Sequence, residues 1–433
     1  MLNETDLKQF KNKYNLDDIE IFTQNISSHK ISFTANELKQ AEIQDSSGTA
    51  LRILKNKKIG FTSCRGSTNL DELVKQAIEM STFSPDIELD FPSAKKSDLD
   101  LNNETRNIPK IFNEKGEHII KTILKEAPTV LVDVSFEGDT ISENIINSRD
   151  LNYSHSKNLY STSISIRETD ENNFIEIFTA IVEKDIPDET EYVQELLKYY
   201  KLCKKPAKIK NGNYPVLFTI RAAKDLLNII ELALNGIQVN EKSSPWHNQL
   251  GKQVLSEAIT LKQEPGKGPM ARSVDDEGNK IQELTLIKDG VLQNFYYDLV
   301  SACQSLGPGT PSTGNGFRDS IETQPQTSLL NMILSAGKRS LDEIIKDIKY
   351  GLLVDQTMGG LSTNISGDTS VNVDIGFLIE NGQLIGRVKD TMLSGNIYNA
   401  LNNVMELSNN PKWYWSNIYN PDMLLGGFTV TAE

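Results

Sequence analysis

The chain has 433 residues, of which 38% are hydrophobic and 24% charged, so it has globular composition and is long enough for two domains. Its 59 acidic residues outnumber 45 basic ones, and the net charge of −14 disfavours contact with phosphate backbones. We expect no nucleic-acid partner, and the lack of any long apolar run predicts no membrane partner.

Three cysteines, Cys64, Cys203 and Cys303, are widely separated and form no CxxC pair. An odd number of isolated thiols is typical of a reducing compartment. The first residues also lack the apolar core of a signal peptide. We therefore expect a cytoplasmic protein.

Alternating strand and helix patterns occupy the first half of the chain. The predicted strands are 19–22, 30–33, 49–54, 58–61, 129–138, 157–168 and 173–182. The predicted helices are a short one at the N-terminus, one capped at Thr68 or Asn69, and two at 109–127 and 188–204. Residues 84–108, rich in Pro, Asp and Ser, predict a linker or long loop. Together these patterns predict an N-terminal α/β domain with an antiparallel sheet over residues 1–205.

The second half begins with a strand at 214–218 and an amphipathic helix at 226–240. Asp289-Gly290 and Asn381-Gly382 supply the positive φ angles of type I′ turns and predict two β-hairpins. Gly-rich segments at 306–319 and 357–368 predict loops that can bring backbone amides to a ligand. The sequence predicts an α+β fold of two lobes, the second a β-rich domain with hairpins and packed helices over 206–433.

One polar stripe runs along the predicted helix and consists of Lys224, Asn228, Glu231 and Asn235. Such a stripe can line a polar cleft in which Glu231 acts as an acid or base. The simpler interpretation, which we favour, is a solvated or interface-facing side of the helix.

Metal-binding patterns are sparse. Zinc peptidases place two His one turn apart on a helix, with a Glu between them. The four histidines are at least 37 residues apart, and none is followed by Glu. We interpret the acidic run Asp275, Asp276 and Glu277 as a solvated turn rather than a divalent-ion site.

A set of short motifs in the second half resembles the TldD/PmbA family, also known as the modulator of DNA gyrase family. These motifs are 215–218, 250–255, 276–278, 287–292, 312–316, 358–360, 365–368, 379–382 and 393–396. Their order and spacing fit the family from 214 to about 410. The first half fits more loosely, mainly through 48–52.

What the resemblance implies is a cytoplasmic peptide-processing heterodimer. In the family, a TldD-type subunit carries a His-Glu-x-x-x-His zinc motif on the helix after the strand and a Cys ligand near the C-terminus. A PmbA-type subunit, also called TldE, lacks both ligands and pairs with it around a cavity where unfolded peptides are cut. This chain has no His at 226–240 and no Cys after Cys303, so it resembles the PmbA/TldE branch.

The resemblance therefore implies a non-catalytic subunit of a zinc metallopeptidase in proteolysis or peptide maturation, inactive alone. We expect no catalytic residue, metal ligand or cofactor in this chain. The expected partners are a zinc-bearing TldD-like subunit and extended peptides, with a homodimer in isolation. The expected peptide-binding residues lie in the two Gly-rich segments and are Thr313, Gly314, Asn315, Met358, Gly359 and Gly360, with Asn228 and Glu231 lining the cleft.

Two alternatives stay open from the residues. One is an independent hydrolase that uses carboxylates such as Glu231 or Asp276 with a metal other than zinc. The other is a regulatory binding protein that acts on a topoisomerase complex.

Overall fold

The computed structural model describes residues 4–66, 69–93, 98–99, 107–170, 173–307, 309–361 and 364–432. The helices in these ranges are α1 (Glu4–Tyr14), α2 (Leu70–Ser81), α3 (Ile108–Glu126), α4 (Thr190–Cys203), α5 (Ile220–Leu234), α6 (Gly236–Asn240), α7 (Leu299–Leu306), α8 (Leu341–Asp347) and α9 (Ile397–Asn402). None of these described helices is long and apolar enough to cross a membrane.

Antiparallel strands, together with one two-residue parallel strand, form the sheet of the first lobe. They are β1 (Asp18–Thr34), β2 (Glu37–Lys55), β3 (Lys58–Arg65), β4 (Asp98–Leu99), β5 (Leu131–Asn147), β6 (Asn152–Asp170) and β7 (Asn173–Glu183). The order is β3-β2-β1-β5-β6-β4, with β7 also paired to β6 and β4 parallel to it. The two short strands predicted at 19–22 and 30–33 are one strand, because the polar residues between them pair with both neighbours.

Shorter strands build the second lobe. They are β8 (Pro206–Ala207), β9 (Gly212–Asn213), β10 (Val216–Phe218), β11 (Leu261–Gln263), β12 (Leu284–Lys288), β13 (Val291–Leu292), β14 (Gly316–Phe317), β15 (Gln326–Thr327), β16 (Met332–Leu334), β17 (Tyr350–Thr357), β18 (Asp368–Glu380), β19 (Gln383–Val388), β20 (Thr391–Asn396), β21 (Val404–Leu407), β22 (Lys412–Tyr414), β23 (Ile418–Asn420), β24 (Met423–Leu425) and β25 (Phe428–Ala432). A ten-stranded sheet follows the path β21-β24-β10-β17-β18-β20-β25-β9, with β19 and β8 beside it. A six-stranded sheet, β13-β12-β11-β16-β23-β22, and the separate pair β14-β15 lie in the same lobe. This mixture of helices and sheets confirms the predicted α+β class.

Both predicted hairpins of the second lobe are confirmed. Asp289 and Gly290 have φ angles of 48° and 73°, and Asn381 and Gly382 have 49° and 77°. Two consecutive positive φ angles are the geometry of a type I′ turn, which matches the twist of the flanking strands. The turn therefore fixes each register, as the pairing of Lys288 with Val291 demonstrates.

The helix α5 differs from its prediction at both ends. It begins at Ile220, directly after the central strand β10, and ends at Leu234. Asn235 is extended, with ψ of 126°, and its side chain accepts a hydrogen bond from the amide of Ile237 to start α6. Asn side chains favour this capping role over a helix interior, so the predicted single helix is two helices.

Helices and sheets of the two lobes share one apolar cluster. Tyr199 of α4 stacks on Phe377 of β18 with ring centroids 5.3 Å apart. Residues of α3 and of the first sheet belong to the same cluster. This shared core contains residues from both sides of position 205, where the sequence predicts a domain boundary. That boundary stays a prediction.

A buried ion cluster joins the lobes. The guanidinium of Arg52 on β2 donates to Glu20 at 2.9 Å and to Glu277 of the second lobe at 2.7 Å. Arg52, Glu20 and Glu277 are only 2%, 0% and 1% exposed. The expectation of a solvated turn at 275–277 is wrong, because Asp275 also accepts backbone N–H groups and is fully buried.

We predict that Arg52→Ala lowers the free energy of unfolding by about 3–5 kcal/mol, because buried Glu277 loses its ion-pair partner and Glu20 is left with only Arg318, 3.8 Å away. Urea unfolding followed by circular dichroism measures the change. Arg65→Ala is the matched control, since Arg65 pairs with Glu322 at the surface, and it should cost less than about 1 kcal/mol. Equal losses in the two variants would contradict the role given to Arg52.

Candidate functional site

The polar side of α5 is partly covered. Lys224, Asn228 and Glu231 are partly buried, while Leu226, Leu227 and Ile230 pack inward and are fully buried. The ammonium of Lys224 lies 5.0 Å from the centre of the Trp415 ring. A freely solvated helix side would leave these polar groups exposed, so this side stays the candidate wall of the expected cleft, and Lys224 lines a cavity at the start of the helix.

Glu231 is the most perturbed group on this wall. Burial raises the pKa of Glu231 to about 7, although the amide of Leu329 donates to its carboxylate and Lys224 lies near enough to oppose the shift. The hydroxyl of Tyr296 donates to the backbone carbonyl of Glu231 at 3.1 Å and fixes this turn of the helix. A carboxyl group with this pKa can both donate and accept hydrogen bonds near neutral pH.

The neighbours of Glu231 do not suit a zinc ion. With Glu231 as the Glu of His-Glu-x-x-x-His, the two His positions fall on Ile230 and Asn235. Ile230 is buried, and the amide of Asn235 is used by Thr327 and Ile237. Zinc sites use imidazole, thiolate and carboxylate ligands in a converging set. Within the described ranges, no three His, Cys, Asp or Glu side chains converge in this way.

A cavity of about 240 Å³ opens at the first turns of α5. Its lining includes Arg221, Lys224, Asp225, Asp355, Gly360 and Trp415. Arg221 is ion-paired with Asp355 at 2.6 Å, so these two charges are satisfied. Asp225 accepts the amide of Leu361 at 3.3 Å, and burial raises the pKa of Asp225 above its ordinary value.

The expected peptide-binding loop 358–360 lies at this cavity. Gly359 and Gly360 both have φ of 77°, which side-chain-bearing residues rarely adopt. A Cβ on Gly360 would lie 3.3 Å from the carboxylate of Asp225, so glycine permits the close approach of loop and helix. Met358 is 59% exposed beside them.

The other expected residues lie toward the opposite end of α5. Asn315 is fully buried and donates to Gln263 and to the carbonyl of Ser328, each at 2.8 Å. Ser328 precedes Leu329, whose amide reaches Glu231. The hydroxyl of Thr313 bonds the backbone of Tyr297, and Gly314 lies against the carbonyl of Lys280. This turn therefore supports the cleft wall from behind.

Sequence reasoning missed Asp225, Asp355 and Trp415. Asp355 follows an apolar run on β17, beside the parallel strand β10, and the carboxyl ends of adjacent parallel strands commonly hold site residues. That signal was present in the sequence. Trp415, 45% exposed with a φ of 54°, reaches the cavity from a distant turn and has no local signal.

The two lobes define an α+β protein whose fold is shared by solved structures. TldE from Thermococcus kodakarensis superposes with a TM-score of 0.88 at 23% identity, over 99% of each chain. A Thermotoga maritima protein named for a modulator of DNA gyrase gives 0.85 at 21% identity, over 99% of each chain.

The family follows from the sequence matches. Residues 211–432 match the model of the PmbA/TldA metallopeptidase C-terminal domain, and residues 19–81 match that of PmbA/TldA metallopeptidase domain 1. The chain belongs to the PmbA/TldD family.

Relatives on both sides of the family are similar to this chain. A PmbA homologue of Buchnera aphidicola is 23% identical over 90% of this chain and 88% of its own length. Metalloprotease PmbA of Escherichia coli O157:H7 is 27% identical over 53% of this chain and 48% of its own. A TldD homologue of Buchnera aphidicola is 32% identical over 43% and 38%. The match thus spans less than half the length of these last two relatives.

We predict a stability change that follows the titration of Glu231. Its pKa of about 7 exceeds the ordinary 4.5, so the folded chain keeps a proton that the unfolded chain has lost between these values. This contribution to stability is complete below about pH 4.5 and disappears as the pH rises through 7. Relative to Glu231→Gln, the unfolding free energy of the natural chain should fall by roughly 3 kcal/mol between pH 4.5 and 8.

Urea unfolding at a series of pH values measures this difference. Glu241→Gln, which changes an exposed carboxylate just after α6, is the control and should track the natural chain at every pH. A difference between the natural chain and Glu231→Gln that does not vary with pH would refute the perturbed titration.

Proposed function

We propose that the chain is a non-catalytic, TldE-like subunit of a cytoplasmic zinc metallopeptidase, in which a TldD-like partner supplies the zinc ion and the cutting residues. The observation that carries the proposal is that α5 has a carboxyl group, Glu231, but no histidine. Glu231 stands between a buried Ile230 and an Asn235 that is already bonded, so this helix keeps a carboxyl group without metal ligands beside it. The four histidines of the chain all lie outside α5.

The cleft along α5 supports a role in holding extended peptide. Asn228 and Glu231 offer an amide and a carboxyl group that is partly protonated at neutral pH. The loop 358–360 adds backbone groups at the cavity mouth, and Met358 adds an adaptable apolar contact. Main-chain recognition needs donors and acceptors along a groove, and this wall provides both. Thr313, Gly314 and Asn315 contribute by holding the segment behind Glu231.

A hydrolase built on carboxylates has less support. Asp276 is ion-paired with Arg272 at 2.7 Å and is buried between the lobes. Glu231 has Leu329 and Tyr296 as its neighbours instead. Asp276 and Glu231 thus lie in separate environments and do not form one site. The regulatory alternative is not supported by any contact described for α5.

We predict that the purified chain binds no stoichiometric zinc and cleaves no casein-like substrate, and that it forms a homodimer. Co-expression with the host's paralogue that carries His-Glu-x-x-x-His should give a one-to-one complex with zinc-dependent peptidase activity. Size-exclusion chromatography with light scattering, elemental analysis and a fluorogenic peptide assay provide the measurements.

Paired Glu→Gln substitutions in the two subunits separate their roles. The change in the paralogue's motif should abolish cleavage, because that Glu is the general base of such sites. Glu231→Gln in this chain should leave the turnover number within about threefold, because glutamine keeps the hydrogen bonds and loses only the charge. Robust zinc-dependent cleavage by this chain alone would overturn the proposal.

A further inference from the structure

The first sheet has an uncovered polar area in the middle of its helical face. At one end, Ile21 and Ile146 pack under α1 and α2. At the other end of the same strand face, Ile31 and Phe136 pack under α3. Between these two helical layers the sheet forms the floor of a groove of about 760 Å³, which we call the N-lobe groove.

Two rungs of side chains form this floor, because cross-strand partners point to the same face of a sheet. The first rung crosses the strands β2, β1, β5 and β6 and consists of Thr49, Thr23, Asn144 and Ser154. The second rung lies two residues away on each strand and consists of Ser47, Asn25, Ser142 and Ser156. Every member carries a hydroxyl or an amide group, and all eight line the groove.

The floor is electrically neutral although the chain carries a net charge of −14. Glu143 borders the groove, but its carboxylate accepts from Gln24 at 2.9 Å and pairs with Arg272, which place it on the other face of the sheet. A floor without charge offers nothing to offset the desolvation of a phosphate or of another ion. The floor is therefore best matched by an uncharged group rich in hydrogen-bond donors and acceptors.

On half of the floor, the polar side chains make no hydrogen bond to other described residues. On the β5 and β6 side, Asn144 donates to Ser154, and Ser142 bonds Ser156. On the β1 and β2 side, the side chains of Thr23, Asn25, Ser47 and Thr49 are partly or fully exposed and make no hydrogen bond to other described residues. These four groups are open to a ligand.

We propose that the N-lobe groove binds an extended, uncharged polypeptide segment through its main chain. The rungs are about 7 Å apart, since strands rise about 3.4 Å per residue, so a backbone can lie between them with polar groups at both edges. Four strands spaced by about 4.8 Å give a width of about 14 Å, which matches about four extended residues. Small side chains suit the flat floor, and the floor has no aromatic ring on which a sugar could stack. The choice of peptide over other neutral ligands rests on the proposed function.

The test is direct binding to the isolated full-length chain. The probe is an end-blocked hexapeptide of Gly, Ala and Ser with an uncharged coumarin label, and the matched probe is N-methylated at alternate main-chain nitrogens. Fluorescence anisotropy should show saturable binding of the first probe and at least about tenfold weaker binding of the second, which lacks the donors that direct main-chain recognition.

Substitutions locate the binding. The quadruple variant Thr23→Val, Asn25→Ala, Ser47→Ala and Thr49→Val removes the four open polar groups and should weaken binding at least about tenfold. Gln40→Ala with Gln44→Ala, on the exposed outer part of β2, is the matched control and should bind as the natural chain does. Should the quadruple variant fail to fold, Asn25→Trp fills the groove from an exposed position and should have the same effect.

Four outcomes would overturn the inference. They are undiminished binding by the groove variants, equal affinity for the N-methylated probe, no binding by the natural chain at millimolar probe, and tighter binding of a neutral oligosaccharide than of the peptide. Because the assay uses this chain alone, a chain that binds peptide in the groove but forms no complex with the paralogue would overturn the proposed function and leave the groove standing.

Discussion

The burial of Arg52 between two carboxylates is the constraint on which the arrangement of the lobes depends. A guanidinium removed from water is tolerated only beside compensating negative charge, and Glu20 alone would leave one edge of it unpaired. Glu277 of the second lobe adds a second carboxylate at 2.7 Å. Desolvation raises the pKa of Glu277 while Arg52 holds that pKa down, so each charge stabilises the other. Any relative movement of the two lobes would separate Arg52 from Glu277.

Packed and hydrogen-bonded residues connect the Arg52–Glu277 contact to Glu231 on α5. The side chain of Glu277 packs against Gly316, where an added Cβ would lie 2.5 Å from it. The next residue back, Asn315, exchanges hydrogen bonds with Ser328, and the following amide reaches Glu231 on α5. The wall behind Glu231 is thus anchored to the junction of the lobes. Peptide held along α5 would lie against a rigid support, which is the condition for precise presentation to a partner.

Local features were predictable and distant ones were not. The turns at Asp289-Gly290 and Asn381-Gly382 depend on φ preferences of two residues, so sequence pattern was sufficient. The acidic run at 275–277 was misjudged because its burial depends on Arg52, which is 225 residues away from Glu277 in the chain. Trp415 also reaches the cavity from a turn that is distant from α5 in the chain, so its position depends on the tertiary fold. The end of α5 was missed because the helical spacing of its polar stripe continues to Asn235, whose side chain instead caps the next helix.

The two surfaces proposed to hold peptide both carry little negative charge in an acidic protein. Glu231 is the only carboxyl group of the α5 stripe, where Lys224 lies near it, and its raised pKa leaves it about half protonated near pH 7. The N-lobe groove carries hydroxyl and amide groups and turns Glu143 to its opposite face. A non-catalytic subunit that contacts many peptides would gain from this low negative charge, because a strongly acidic surface would reject acidic segments. Main-chain groups are common to all peptides, and neutral donors and acceptors recognise them regardless of sequence.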